Sequence, residues 1–205
     1  PGGPVEVRSP LVGLFNVSNL LGAIGAAMAL GLSPQEAASG VSSLEGVSGR
    51  MERVDSGQAF SVIVDYAHTD DALRNLLDTL RSLEPRRIIT VFGCGGDRDR
   101  SKRPLMGSVA AQRSDLVIAT SDNPRSEPPS GILDEIAQGF KNHSTPFKLI
   151  VDRRAAIDLA LRSAGPGDLV VIAGKGHEAT QTIREKKLPF DDRLVAREIL
   201  RDLTR

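Results

Sequence analysis

The chain has 205 residues, with 26 Lys and Arg balancing 26 Asp and Glu, and 40% of its residues are hydrophobic. Zero formal net charge argues against binding nucleic acid or an anionic membrane through bulk charge, and no apolar run of about 18 residues marks a membrane span. One cysteine, Cys94, excludes an intramolecular disulfide and fits a reducing compartment, and no CxxC or HExxH spacing marks a zinc site, so the expectation is a soluble, cytoplasmic monomer.

Pro1–Pro4 reads as a disordered end or a cloning remnant. Two helical patterns follow. The first comes after Phe15-Asn16-Val17-Ser18-Asn19 and runs to Leu30; the second starts at Pro34, with Ser33 as its N-cap. Their apolar faces call for a sheet that this stretch does not supply. A boundary is expected near Gly57. From Phe60 apolar runs alternate with helical segments. The runs are Phe60–Asp65, Arg87–Phe92, Asp115–Thr120, Lys148–Asp152 and Asp168–Ala173. The helices are Asp70–Leu83, Lys102–Arg113, Gly131–Lys141 and Arg154–Ala164. Strand runs without polar alternation, separated by helices, predict an α/β fold: a Rossmann-like, doubly wound, mostly parallel sheet. A hairpin over Ile183–Phe190 and a closing helix over Arg193–Leu203 complete it. The expected domains are residues 1–56, mainly helical, and 57–205.

Polar clusters sit after every strand, where such sheets bind ligands. Gly93-Cys94-Gly95-Gly96-Asp97-Arg98 allows a phosphate cradle or a tight turn, and it matches neither GxxxxGK[ST] nor GxGxxG. Asp122-Asn123-Pro124-Arg125 sets an anion and a guanidinium about a fixed kink, which suits an amino-acid zwitterion; the plainer reading is an Asx turn with a surface ion pair. In Gly174-Lys175-Gly176-His177-Glu178 the lysine is expected to be solvated, Glu178 can hold an ammonium, and His177 is either a base or a backbone hydrogen-bonder. Asp65 of Asp65-Tyr66-Ala67-His68 can reach a ribose hydroxyl, with His68 as a helix-entry residue. Arg50 of Gly49-Arg50-Met51-Glu52 is either a phosphate contact or a surface residue in a linker.

In order and spacing, these clusters resemble the Mur ligase family, together with Lys102-Arg103-Pro104 and Asp191-Asp192-Arg193. The likeness covers nearly the whole chain from about residue 11. The Asp-Asn-Pro-Arg form resembles that of the members selecting meso-diaminopimelate. The resemblance implies a three-domain, ATP- and Mg²⁺-dependent ligase acting on UDP-N-acetylmuramoyl-L-alanyl-D-glutamate. This chain would hold the end of the central ATP-binding domain and the whole last domain, without the P-loop, and would not turn over alone. It also implies site roles: Asn19 at the adenine, Arg50 at the phosphates, Asp65 at the ribose, and His68 near the nucleotide. Arg98, Asp122, Asn123, Pro124, Arg125, Gly174 and Glu178 would form the diaminopimelate site, and no residue here would bind the metal. Two alternatives stand beside it: a non-catalytic amino-acid-binding module, and a Rossmann-type nicotinamide dehydrogenase, against which the missing GxGxxG counts.

Overall fold

The computed structural model describes residues 3–11, 13–44 and 46–203; Pro1 and Gly2 of the expected Pro1–Pro4 remnant lie outside the described residues. The chain divides into two compact units, Pro1–Val47 and Ser48–Arg205. The first contains α1 (Leu14–Ala29) and α2 (Pro34–Ser42). Helix α1 begins earlier than expected, so Asn16–Asn19 lie inside its first turns and not ahead of it. Helix α2 starts as expected. Ser33 Oγ accepts from the Glu36 amide, and the Glu36 carboxylate accepts from the Ser33 amide at 2.8 Å, a reciprocal cap with Pro34 in the first turn. Val17, Leu21 and Met28 on α1 remain exposed.

The second unit is the doubly wound domain. Its elements run β1 (Glu52–Arg53), β2 (Ser61–Asp65), α3 (Asp70–Arg81), β3 (Ile88–Phe92), α4 (Lys102–Arg113), β4 (Leu116–Thr120), α5 (Pro129–Gln138), β5 (Phe147–Ile150), α6 (Arg153–Ser163), β6 (Leu169–Ala173), β7 (Thr180–Ile183), β8 (Lys186–Pro189) and α7 (Asp192–Leu203). The sheet order is β1-β2-β6-β3-β4-β5, parallel throughout except for β1. The compact unit starts at Ser48, ahead of the expected Gly57, because Glu52 and Arg53 pair with Val64 and Ile63 of β2 and so belong to the sheet. The hairpin also starts earlier, at Thr180. Its first strand is polar in sequence, and only the folded chain buries Gln181.

Two apolar layers flank the sheet. On one side α3 contributes Leu73, Leu76, Leu77 and Leu80, spaced as one helical stripe, beside Met106, Val109 and Ala110 of α4 and Ile132, Leu133 and Ile136 of α5. On the other, Ala156, Ile157, Ala160 and Leu161 of α6 pack with Val195, Ala196, Ile199 and Leu200 of α7. Strands β3 and β6 are buried along their whole length, as a covered parallel sheet requires. Among the described residues no helix is long and apolar enough to cross a membrane.

Inside the second layer lies a fully buried ion pair. Arg153, the first residue of α6, donates from Nε and Nη2 to the two carboxylate oxygens of Asp192, the first residue of α7, both at 2.7 Å. The same guanidinium reaches the Ser121 carbonyl at 3.2 Å and the Ala173 carbonyl at 3.0 Å. Burial alone would make Arg153 easier to deprotonate, but the Asp192 charge outweighs it and holds the arginine above its ordinary value.

Arg153→Ala would leave the Asp192 carboxylate buried without a counter-ion. It is expected to lower unfolding free energy by about 3–5 kcal/mol, measured by urea denaturation. Replacing both partners with apolar residues of similar volume should recover most of that loss.

Candidate functional site

The parallel strands end level with one another: Asp65 pairs with Ala173, Val91 with Ile172, and Phe92 with Ala119. Strand β6 lies between β2 and β3. The chain leaving β6 runs towards α7 on one face, whereas those leaving β2 and β3 run into α3 and α4 on the other. Such a switch point opens a crevice at the carboxyl edge of the sheet. The sequence clusters after β2, β3, β4 and β6 all gather on this rim.

The loops after β4 and β6 interlock. Asn123 Nδ2 donates to Glu178 Oε2 at 2.9 Å, and Lys175 Nζ donates to the same oxygen at 3.0 Å and to Asn123 Oδ1 at 3.3 Å. Asn123 Oδ1 also accepts from the Thr182 amide at 2.8 Å, and Gln181 Nε2 donates to the Asp122 carbonyl at 2.8 Å, which fastens the hairpin to the loop. Asp122 is buried with its carboxylate against Gly174, and its Oδ2 has no hydrogen-bond partner among the described residues. A buried acceptor without a partner is uncommon and marks this carboxylate as a candidate functional group.

Arg125 is half-buried, with φ 51°, an uncommon conformation for a residue other than glycine. Two backbone bonds over-determine it: its amide donates to the Thr182 carbonyl at 3.1 Å, and its carbonyl accepts from the Arg184 amide at 2.6 Å. Its Nη1 donates to the Gly96 carbonyl at 2.7 Å. The plainer reading of this motif as an Asx turn with a surface ion pair is therefore corrected. Asp122 and Asn123 are buried, and the guanidinium bonds backbone and not Asp122.

The phosphate-cradle reading of Gly93–Arg98 is also corrected. The Gly96 amide donates to the Asn123 carbonyl at 2.9 Å and the Asp97 amide to Glu127 at 2.6 Å, so these donors are already engaged. A Cβ at Gly96 would stand 1.9 Å from the Pro124 carbonyl oxygen, so a glycine is required for close packing of the two loops. Buried Arg103 holds them together, with a two-pronged grip on Glu127 at 2.7 and 2.9 Å and a bond to the Gly95 carbonyl at 3.2 Å. Arg103 pulls the Glu127 carboxyl down to about 2. Arg98 stands exposed on the same loop. Cys94 is buried, with its thiol pushed up to about 12 by desolvation, and supplies no nucleophile.

The loop after β2 meets the turn that opens this unit. Asp65 accepts from the Met51 amide at 2.8 Å and from the Ala67 amide at 2.7 Å, so its first role is to hold the Arg50 turn; burial raises its carboxyl above the ordinary range. Gly49 lies so close to the loop after β6 that a Cβ there would sit 2.0 Å from the His177 nitrogen. Exposed Arg50 lies 4.6 Å over the Tyr66 ring. His68 is exposed and its Nδ1 is 2.9 Å from the Tyr66 carbonyl. His177 is exposed too, its ring 5.5 Å from that of Tyr66; the backbone hydrogen bond expected of His177 is made by His68 instead. Arg193 braces the turn, bonding Asp191 at 2.5 and 2.9 Å, Ser48 Oγ, and Glu52, whose carboxylate accepts from the Gly49 amide at 2.8 Å. Asn19 belongs to the first unit, exposed on α1 with its amide 3.3 Å from Asn16 Oδ1.

Lys175 is the largest departure from the sequence reading. A lone lysine after a strand is ordinarily solvated, yet this one is fully buried. Its two glycine neighbours, Gly174 and Gly176, both adopt positive φ, but nothing in the local sequence marks the lysine as buried.

Comparison with known proteins places these residues in a family context. A family model described as "Mur ligase, glutamate ligase domain" matches residues 49–176. The chain is 53% identical over 195 residues to a protein of Solibacter usitatus named UDP-N-acetylmuramoyl-L-alanyl-D-glutamate–2,6-diaminopimelate ligase, and 55% identical over 196 residues to one of the same name from Syntrophomonas wolfei. Each match takes in 95% of this chain and 40% of the relative, so the chain spans about two-fifths of the length of the curated relatives it matches. A solved structure of a ligase of that name superimposes with a TM-score of 0.76 at 43% identity, covering 97% of this chain and 41% of that one.

Two carboxylates in the crevice are perturbed in opposite directions. Burial raises Asp122. Burial would raise Glu178 as well, but the bonds from Asn123 and Lys175 outweigh it and hold Glu178 low. A carboxyl whose folded pKa lies above its unfolded value stabilises the fold below the unfolded value, and loses that contribution as pH rises through the folded one. The stability of Asp122→Asn relative to the parent is therefore expected to rise between pH 4 and pH 8 in urea titrations, by about 1.4 kcal/mol for each unit by which the folded carboxyl is raised. A pH-independent difference would refute the assignment.

Proposed function

We propose that this chain, which belongs to the Mur ligase family, carries the amino-acid side of the active site of an ATP-dependent ligase that adds meso-diaminopimelate to UDP-N-acetylmuramoyl-L-alanyl-D-glutamate. The observation that carries this reading is the crevice between the loops after β4 and β6. It joins a Glu178 held low, the buried, unpaired Asp122 oxygen and the Arg125 guanidinium within one interlocked unit. The helical unit ending at Val47 is read as the end of the central ATP-binding domain, and the unit from Ser48, which takes in β1, as the carboxy-terminal domain.

The substrate's distal end is a zwitterion, and the crevice offers a partner for each charge. Glu178 and the Gly174 carbonyl suit the ammonium. Arg125 uses Nη1 on backbone carbonyls, leaving the rest of its planar fork for the carboxylate, with Arg98 on the neighbouring loop. Asp122 and Asn123 complete the pocket, and Pro124 sets the kink between Asn123 and Arg125. Lysine has the ammonium but no distal carboxylate, so it would leave the half-buried Arg125 unpaired.

On the other side of the rim Arg50, His68 and His177 present cationic and imidazole groups around Tyr66, a surface suited to a nucleotide's phosphates. Asn19 is assigned to the adenine. Among the described residues no group of three or more His, Cys, Asp and Glu is placed to hold a metal ion. The substrate carboxylate would attack the γ-phosphorus of ATP, breaking its bond to the β,γ-bridging oxygen, so that ADP leaves and an acyl phosphate forms. The diaminopimelate amine, oriented by this domain, would then displace phosphate. The contribution of this chain is orientation and charge, worth several kcal/mol when geometry is held, about 7–11 at best. The dehydrogenase alternative finds no support, since the 93–98 glycines serve loop packing and the matched relatives are named as ligases.

In the intact enzyme, Arg125→Ala is expected to reduce the preference for meso-diaminopimelate over lysine, measured as the ratio of kcat/KM values, on the order of 10²-fold or more, given that sites built to bond a polar group reject analogues lacking it by about 10⁴-fold. An unchanged ratio would remove Arg125 from the recognition of the distal carboxylate.

A further inference from the structure

The most unusual side chain at this rim is Lys175. Its ammonium is fully buried, while the two groups it bonds, Asn123 Oδ1 and Glu178 Oε2, belong to the wall of the crevice. Burying an ammonium ordinarily costs several kcal/mol, and a Met or Leu would fill the same volume without that penalty. A buried charge at this position therefore points to an electrostatic task. The bonding pattern shows what it does to each partner. Asn123 Oδ1 receives both Lys175 Nζ and the Thr182 amide, which fixes the amide so that its Nδ2 faces Glu178. Glu178 receives Nδ2 and Nζ on the same oxygen, Oε2, which leaves Oε1 without a hydrogen-bond donor among the described residues.

We propose that Lys175 is a positioning residue for the ammonium end of the substrate: from inside the protein it locks Asn123 and Glu178 into the arrangement that presents a free carboxylate oxygen to an incoming ammonium. This rests on the diaminopimelate reading of the crevice and deepens it. Lys175 does not touch the substrate; it acts through Glu178. The charged groups acting on Glu178 are Lys175 on its own loop, Asp122 and Arg125 on the loop after β4, and Arg153 at the start of α6. Lys175 bears on both carboxylates. Without it, Glu178 would face the buried Asp122 with only Arg125 and the Asp192-paired Arg153 as nearby cations.

In the intact ligase, Lys175→Met is expected to raise KM for meso-diaminopimelate about 10- to 100-fold, the range for a lost hydrogen bond to a charged group, while KM for ATP and kcat at saturation stay within about twofold. The acid limb of kcat/KM for the diamino acid should move to higher pH, because Glu178 then protonates more readily. Combined with Glu178→Gln, the lysine replacement should add no further loss. A wild-type KM and an unmoved acid limb, or fully additive losses in the double variant, overturn the proposal. If Lys175→Met does not fold, the wild-type enzyme decides through nitrogen-15 NMR of its lysine ammonium groups. The Lys175 resonance should shift when diaminopimelate saturates the site, and an unmoved resonance overturns the proposal. A wild-type enzyme that ligates no diamino acid at all would instead sink the parent reading of the crevice.

Discussion

The buried pair between Arg153 and Asp192 is the constraint on which the rest of this domain depends. Neither charge touches water, so each is tolerable only because the other is present and correctly placed. The guanidinium also bonds the Ser121 and Ala173 carbonyls, the last groups before Asp122 and Gly174. One interaction thus joins α6, α7 and the ends of β4 and β6. The two loops that form the crevice leave from points it fixes. A packing requirement in the apolar layer becomes a positional requirement at the site.

Built on that base, the crevice separates two carboxylates that would otherwise behave alike. Asp122 is desolvated and raised; Glu178 is bonded by Asn123 and Lys175 and lowered. The environments push the two apart, so the crevice keeps one firmly ionised acceptor beside a second whose charge is disfavoured until a donor arrives. That asymmetry suits an ammonium that enters and leaves. Two equally ionised, equally exposed carboxylates would bind it with less direction.

The loop clamps set the stiffness of the arrangement. Arg103 and Glu127 tie the loop after β3 to the loop after β4, and the contact of Gly96 with Pro124 admits no side chain between them. Arg125 is held in a strained backbone conformation by two bonds to the hairpin. The half of the rim proposed for the amino acid is thus held rigid before any ligand arrives. The half proposed for the nucleotide is different in kind: Arg50, His68 and His177 are exposed around Tyr66, with Asp65 and Arg193 bracing the adjoining turn.

How much of this was legible beforehand follows from which forces act locally. Apolar runs, helix caps and polar strand ends depend on near neighbours, so the chain alone determined the parallel α/β sheet, the Ser33 cap and the rim bearing the motifs. The motif set also pointed to the Mur ligase family. The tertiary structure alone decided what distant segments do to one another. It paired Glu52 and Arg53 with β2, moving the unit's start to Ser48. It turned a suspected phosphate cradle into a packing joint, because the acceptors for its amides, Asn123 and Glu127, are distant in sequence. It also buried Lys175, whose partner Asn123 lies on another loop. A lysine's solvation depends on what folds over it, and no pattern in its neighbours alone carries that information.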